Sequence, residues 1–117
     1  MDWLFDKSGH AQLFIYDDRF ISKNRKNLGW MFNNNVYGLR NGKHLGWFEN
    51  GVLYDGKNRV IAFTKNSKGY LPSIPGLGGI PGIPGIPGKP GTPGISGTPS
   101  RPGYSGWSSQ SIDDFFS

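Results

Sequence analysis

The chain contains no cysteine, so no disulfide can staple it, a thiol nucleophile is impossible and a thiolate metal site is excluded. All nine prolines lie between Pro72 and Pro102, which leaves the segment before them free of proline. No window approaches the roughly 20 apolar residues of a membrane span. The opening "MDWLFDKSGH" lacks the basic region and apolar run of a signal peptide. These absences lead to the expectation of a cytoplasmic chain with no membrane contact.

What is present is unevenly placed. Glycine contributes 19 residues and proline 9, more than an ordinary globular protein carries. Twelve of the seventeen aromatics stand before Ser67. The composition therefore divides the chain into a body at 1–68, a Gly/Pro-rich linker at 69–106 and an aromatic-acidic tip at 107–117. A body this small is near the lower limit for a self-supporting core. Its aromatic rings, at roughly 150–250 Å² each, compensate. The body also carries eleven Lys/Arg against six Asp/Glu, a surplus that favours anionic partners.

The body repeats. The turn residues Gly9, Arg25, Gly42 and Asn58 are spaced 16, 17 and 16 apart. Five residues after each stands an aromatic: Phe14, Trp30, Trp47 and Phe63. The preceding position holds Leu13, Gly29, Gly46 and Ala62, small in three of the four. Five residues before each turn stand Leu4, Phe20, Tyr37 and Leu53. Each unit of about 16 residues reads as a β-hairpin: an apolar strand, a polar turn, then a strand such as "LGWMF" or "LGWF". Asn41-Gly42 suits a tight turn with positive φ at both central residues. Arg25 suits a left-handed position poorly, so the second turn is expected to differ. A lone hairpin is marginal. Four in succession can close around a pseudo-four-fold axis, with the aromatics filling the core and the glycines admitting a close neighbour. The fold class is all-β.

"LFDKSGHAQLFIY", "YGLRNGKHLGWFENGVLYD" and "GKNRVIAF" together resemble the bacterial four-fold beta flower domain, over residues 2 to about 67. That resemblance implies four short hairpins with glycine at the turns. It implies no activity, substrate, cofactor or site residue. "NGKHLGWFENG" is also similar to membrane-occupation-and-recognition-nexus repeats, but their period is longer and their Tyr-x-Gly spacing is absent from the other units.

Catalytic and metal chemistry find little support. His10 and His44 follow the first and third turns; two ligands fall short of the three or four a metal needs. Asp6 and Asp55 share one repeat position, where aspartate before a turn caps it through its side chain. Neither an enzyme nor a cofactor is expected. Lys7, Lys23, Arg25, Lys26, Arg40, Lys43, Lys57 and Arg59 all lie in or beside the four within-hairpin turns. If those turns point one way, they form a basic rim able to meet phosphates, nucleic acid or an acidic protein. The plainer account is that exposed turns carry charge for solubility.

The tail runs in Gly-x-y register from Gly76 to Gly106, broken only at Ser100. A strict period of three is the collagen signature, which makes a trimer the alternative to a monomer. The run is short, isoleucine and threonine take many of its x places, and Ser100 interrupts the axis. A single-chain polyproline-II-like spacer, roughly 90 Å for thirty residues, is therefore preferred. It ends in Trp107, Ile112, Asp113, Asp114, Phe115 and Phe116, a candidate docking tip for a protein partner. "IDDFF" is superficially similar to the tips that end the tails of bacterial single-stranded-DNA-binding proteins. The expected function is a non-enzymatic interaction module or adaptor, its body and tip joined by a flexible spacer. Polyanion binding through the basic rim and a trimeric structural role through the tail are the alternatives.

Overall fold

A computed structural model describes residues 2–82, 85–95 and 97–117, so Ile83, Pro84 and Ser96 of the Gly-x-y run lie outside the described residues. Eight strands follow in order: β1 (Asp2–Phe5), β2 (Ala11–Tyr16), β3 (Arg19–Ser22), β4 (Asn27–Phe32), β5 (Asn35–Gly38), β6 (His44–Glu49), β7 (Val52–Tyr54) and β8 (Val60–Thr64). Each pairs antiparallel with the next, and β8 closes on β1 through Leu4↔Thr64 and Phe5↔Phe63. The result is a closed barrel without free edges, which a run of lone hairpins cannot achieve.

The residue of the repeat-turn column is left-handed in all four turns. Gly9, Arg25, Gly42 and Asn58 have φ of 82°, 66°, 69° and 61°. The second turn therefore does not differ as the sequence suggested. Its scaffold explains why Arg25 is held there: Ser22 Oγ accepts hydrogen bonds from the backbone N–H of Asn24 and Lys26, at 3.2 and 3.1 Å. Asp6 Oδ1 does the same for Ser8 and His10, and Asp55 Oδ1 for Lys57 and Arg59. Asp6, Ser22 and Asp55 are thus three versions of one turn cap. The third turn is one residue longer, and Asn41 caps it instead, through Lys43 N–H. Only Gly42 of the Asn41-Gly42 pair has positive φ, so no tight type I′ turn forms there. Such turns form between the repeats, at Asn33-Asn34 and Asn50-Gly51, where both residues have positive φ.

A register shift recurs once per repeat, at Leu4/Phe5, Phe20/Ile21, Val36/Tyr37 and Leu53/Tyr54. Such bulges bend strands and tighten twist, which a barrel of strands this short requires. The lumen holds Leu4, Leu13, Phe20, Val36, Leu53 and Ala62. Phe20 and Phe48, on strands that are not neighbours, meet across it at 5.7 Å. Glycine is obligatory beside this layer at Gly46, where a Cβ would stand 2.0 Å from Tyr54 O. The longer third turn slides Tyr37 by one place, so Val36 takes the lumen position that the repeat column assigned to Tyr37.

The repeat aromatics are not in the lumen. Phe14, Trp30, Trp47 and Phe63 follow the small residues directly and so point outward, yet all are buried. Each pairs across strands with a large neighbour: Phe14 with Ile21, Trp30 with Tyr37, Trp47 with Tyr54, and Phe63 with Phe5. The expectation that these rings fill the barrel core is corrected: they form a second, outer layer.

The tail supplies the cover for that layer. Its approach to the body comes at each repeat turn in order. Gly78 N–H donates to Gly9 O at 2.8 Å, and Gly85 comes to the Arg25 side chain. Gly94 O lies against Gly42, and Pro102 O accepts from Asn58 Nδ2 at 2.8 Å. From Gly76, against Gly9, to Pro102 the stations fall about nine residues apart, three triplets per repeat. Twenty-six residues at ~3.1 Å cover about 80 Å, about 70% of the perimeter of a disc whose long axes measure 38 and 36 Å. The predicted flexible spacer is therefore corrected to a belt, because outward tryptophan, tyrosine and phenylalanine gain from being covered.

Candidate functional site

Because β1–β2, β3–β4, β5–β6 and β7–β8 are hairpins of one barrel, their turns fall on a single rim. Lys7, Lys23, Arg25, Lys26, Arg40, Lys43 and Lys57 are exposed there, and Arg59 is half-buried. The sequence grouped these eight residues and the fold gathers them. Asp6 is one of the few opposing charges: burial raises its pKa, but hydrogen bonds from His10 N–H, the Gln12 side chain and Ser8 N–H outweigh this and hold it below the usual range. Asp55 is buried and accepts from Ser108 Oγ at 2.5 Å.

The tip closes this rim. Helix α1 (Ile112–Phe116) is capped by Ser111, whose Oγ accepts from Asp114 N–H at 3.1 Å. Phe115 is 3% exposed within the lumen layer. Phe116 meets Phe20 at 5.7 Å and lies over Gly29, where a Cβ would come within 3.0 Å of its ring. Ile112 packs on the same layer, and Trp107 lies 6.1 Å from Phe63 on the outer one. Phe115 and Phe116, predicted to seek a partner, thus plug their own barrel, since a lumen lined by glycine leaves room that the rings fill. Asp113 and Asp114 remain exposed. Asp113 lines a cavity of about 430 Å³ with Lys7 and Lys23; Asp114 lines another with Lys43, Lys57 and Arg59.

The belt ends in a clasp that sequence reasoning missed. Arg101 places its guanidinium 5.2, 5.3 and 5.4 Å from the ring centroids of Trp47, Tyr54 and Tyr104. It donates to both Glu49 oxygens at 3.1 and 3.2 Å and, through Nε, to Asn58 Oδ1 at 3.0 Å. Tyr104 OH donates to Glu49 at 2.6 Å. That bond, with the Arg101 pair, lowers the Glu49 pKa. The same bond raises the Tyr104 phenol. Burial, followed by the charges of Tyr104 and Glu49, pushes Tyr54 up to about 12. Asn58 stands where two other repeats have glycine because its amide reads the belt on both sides. A lone arginine in "SRPG" gives no local signal of this, as its barrel partners are over forty residues away.

Further anchors are lighter. Arg19 is buried, stacks on Tyr16 at 5.5 Å and donates to Pro87 O at 3.0 Å. Asn27 donates to Gly88 O, and Lys89 pairs with Asp18 at 3.8 Å. His44 packs edge-on against Tyr37 and Trp47, and burial lowers its pKa. His10 lies beside Asp6 at its turn. Among the described residues no three of His, Asp and Glu gather as metal ligands would.

A family model described as the 4-fold beta flower protein matches residues 2–116. The chain is a 4-fold beta flower protein. The match runs well past residue 67, where the resemblance in the sequence ended, and takes in the tail. In this chain the tail packs on the outer aromatic layer where Arg101, Tyr104 and Trp107 meet Trp47, Tyr54 and Phe63. Neither a curated protein nor a solved structure matches the chain. No helix among its described residues is long and apolar enough to cross a membrane.

Proposed function

We propose that this beta flower chain is a non-enzymatic binding module whose working surface is the turn rim, and that it takes the phosphate backbone of nucleic acid. The observation that carries this reading is the collection of eight Lys/Arg on one rim, seven of them exposed. Set against Asp6, Asp55, Asp113 and Asp114, they leave a surplus of four positive charges. The large exposed aromatics of the barrel strands, Tyr16 and Phe32, adjoin the opposite turns. The rim therefore offers charge without stacking platforms, which suits backbone contact without base reading. The adaptor reading with a free tip has less support, because the tip and linker are both engaged with their own barrel. The trimer reading also loses ground, since the Gly-x-y run lies along a barrel rather than clear of it.

Fluorescence anisotropy with a labelled DNA duplex across a salt series tests the proposal. Four neutralised phosphates give a slope of log affinity on log salt of about −3.6. Replacing Lys23, Arg25, Lys26, Arg40 and Lys43 by glutamine should abolish binding at low salt. Binding that ignores salt, or that survives the five replacements, overturns the reading.

A further inference from the structure

Two cavities adjoin the plug, and they differ in charge. The one of about 430 Å³, at the first two turns, sets Lys7 and Lys23 against Asp6 and Asp113. The other, of about 460 Å³, lies at the third and fourth turns and is lined by Lys43, Lys57 and Arg59. Its carboxylates are Asp55 and Asp114, and Asp55 is already engaged. One of its oxygens accepts from the backbone N–H of Lys57 and Arg59, the other from Ser108 Oγ. That leaves three cations and one uncommitted carboxylate. Among the described residues none of the three cations forms an ion pair, and Arg59 Nε is buried without an acceptor. A buried N–H left unbonded is costly, and the planar fork of a guanidinium is matched by the oxygens of a phosphate.

We propose that this second cavity is a binding site for a phosphate monoester, held by Arg59 together with Lys43 and Lys57. The proposal rests on the reading of the turn rim as a phosphate surface, and it names the form of phosphate taken at this place on it. A monoester near neutral pH carries roughly 1.5 to 2 negative charges and three acceptor oxygens, whereas each diester of a nucleic acid backbone carries a single charge. Three unpaired cations around one cavity suit the monoester. The volume falls within the range of small-ligand sites, roughly 300–1,000 Å³, so there is room for the group that bears the phosphate. Leu45 and Phe115 give that group an apolar wall. The same monoester is found on a free nucleotide and on the 5′ end of a nucleic acid strand.

The Arg59 Nε–H resonance of the full-length chain reports on this cavity directly. Titration with methyl phosphate or with adenosine monophosphate should shift it to saturation, while dimethyl phosphate, a diester, should require about tenfold more. Asp114→Asn removes the one uncommitted carboxylate and should tighten the nucleotide about fivefold. The plug helix keeps its cap in that variant, because Ser111 Oγ accepts from the Asp114 backbone N–H. Arg59→Lys keeps the charge but loses the fork, and should lower the preference for methyl phosphate over dimethyl phosphate. Anisotropy with 5′-phosphorylated and 5′-hydroxyl DNA duplexes then tells the two sources apart. Preference for the phosphorylated end assigns the site to strand ends, and equal affinity assigns it to the free nucleotide. A resonance that neither monoester moves, or that dimethyl phosphate moves as readily, overturns the proposal. The salt slope of the 5′-hydroxyl duplex is a separate measurement, so the rim reading stands or fails on its own.

Discussion

Barrel and belt occupy one small disc but are held by different physics. In the barrel every strand is bonded to two neighbours, so each residue's position is set several times over. Among its described residues the belt has no ladder across its Gly-x-y run. It is set at stations about nine residues apart, and most of its side chains between stations stay exposed. Glycine shows the contrast best. At Gly46 the backbone of β7 is so near that no side chain fits, whereas a Cβ at Gly79, Gly82, Gly88, Gly91 or Gly97 would meet nothing within 4 Å. The belt glycines also lack positive φ until Gly106. Nothing in the packing of the single chain demands glycine at those belt positions.

The largest effect is expected where the barrel is tightest. Gly46→Ala places a methyl group 2.0 Å from Tyr54 O and about 3 Å from further backbone of that strand. Backbone cannot yield as a side-chain end does, so the cost should reach the upper part of the overpacking range, about 3 kcal/mol. In so small a body that is a large share of total stability. Urea titration followed by tryptophan fluorescence should show the midpoint collapse with both layers lost together. A midpoint within about 0.5 kcal/mol of the parent would mean that the barrel is looser than its geometry states.

Much of the barrel was legible in the sequence because it repeats. The column Gly9, Arg25, Gly42, Asn58 turned out to be a conformation, and the capping position was readable at Asp6 and Asp55. Ser22 completes that set, and only a shared turn geometry reveals it. The faces were harder to read. Small residue and aromatic alternate in "LGWF" whichever side is the lumen, and a covered outer face looks the same as a buried inner one. Exposure of the outer layer would have been the clue, but the belt that removes it is far away in sequence. The basic rim was legible for the same reason as the turns. The Arg101 clasp was not, since aromatic, carboxylate and amide converge on it from three separate strands and turns.

A middle-sized effect is expected at that clasp. Arg101→Ala removes three ring contacts and a two-point pair with Glu49, but part of the site is open to solvent, so about 1–2 kcal/mol is the expected loss. The loss should fall on the belt: hydrogen exchange should quicken at Gly106 and Ser108, whose N–H groups donate to Tyr70 OH and Val60 O, while the β3–β4 amides keep their protection. Equal quickening everywhere would show belt and barrel to be one cooperative unit. Acid should loosen the same clasp. Because the folded Glu49 pKa is lowered from its ordinary 4.5, its stabilisation is complete above that value and is lost as pH falls through the lowered one. The Arg101 Nε–H resonance should therefore broaden in that acid range and hold steady near neutrality. Asp6 titrates in the same direction, and Glu49→Gln separates the two, since it abolishes only the clasp's response.

The smallest effect should come from the substitution that is most damaging in the barrel. Gly91→Ala adds a methyl group into open space at a position without positive φ. The folded chain gains no clash, and the unfolded chain loses some of glycine's freedom. The expected change is therefore a stabilisation of up to about 1 kcal/mol. Differential scanning calorimetry of Gly91→Ala beside Gly46→Ala makes the comparison direct, one residue type replaced in the same way in the two regions. If Gly91→Ala instead destabilises by more than about 1 kcal/mol, either a second copy occupies the glycine face of the belt or the belt's own backbone needs the glycine. Repeating the scan across a range of protein concentrations would then separate the two. A penalty that grows with concentration means a second copy packs there, and a constant penalty means the belt's own backbone needs the glycine.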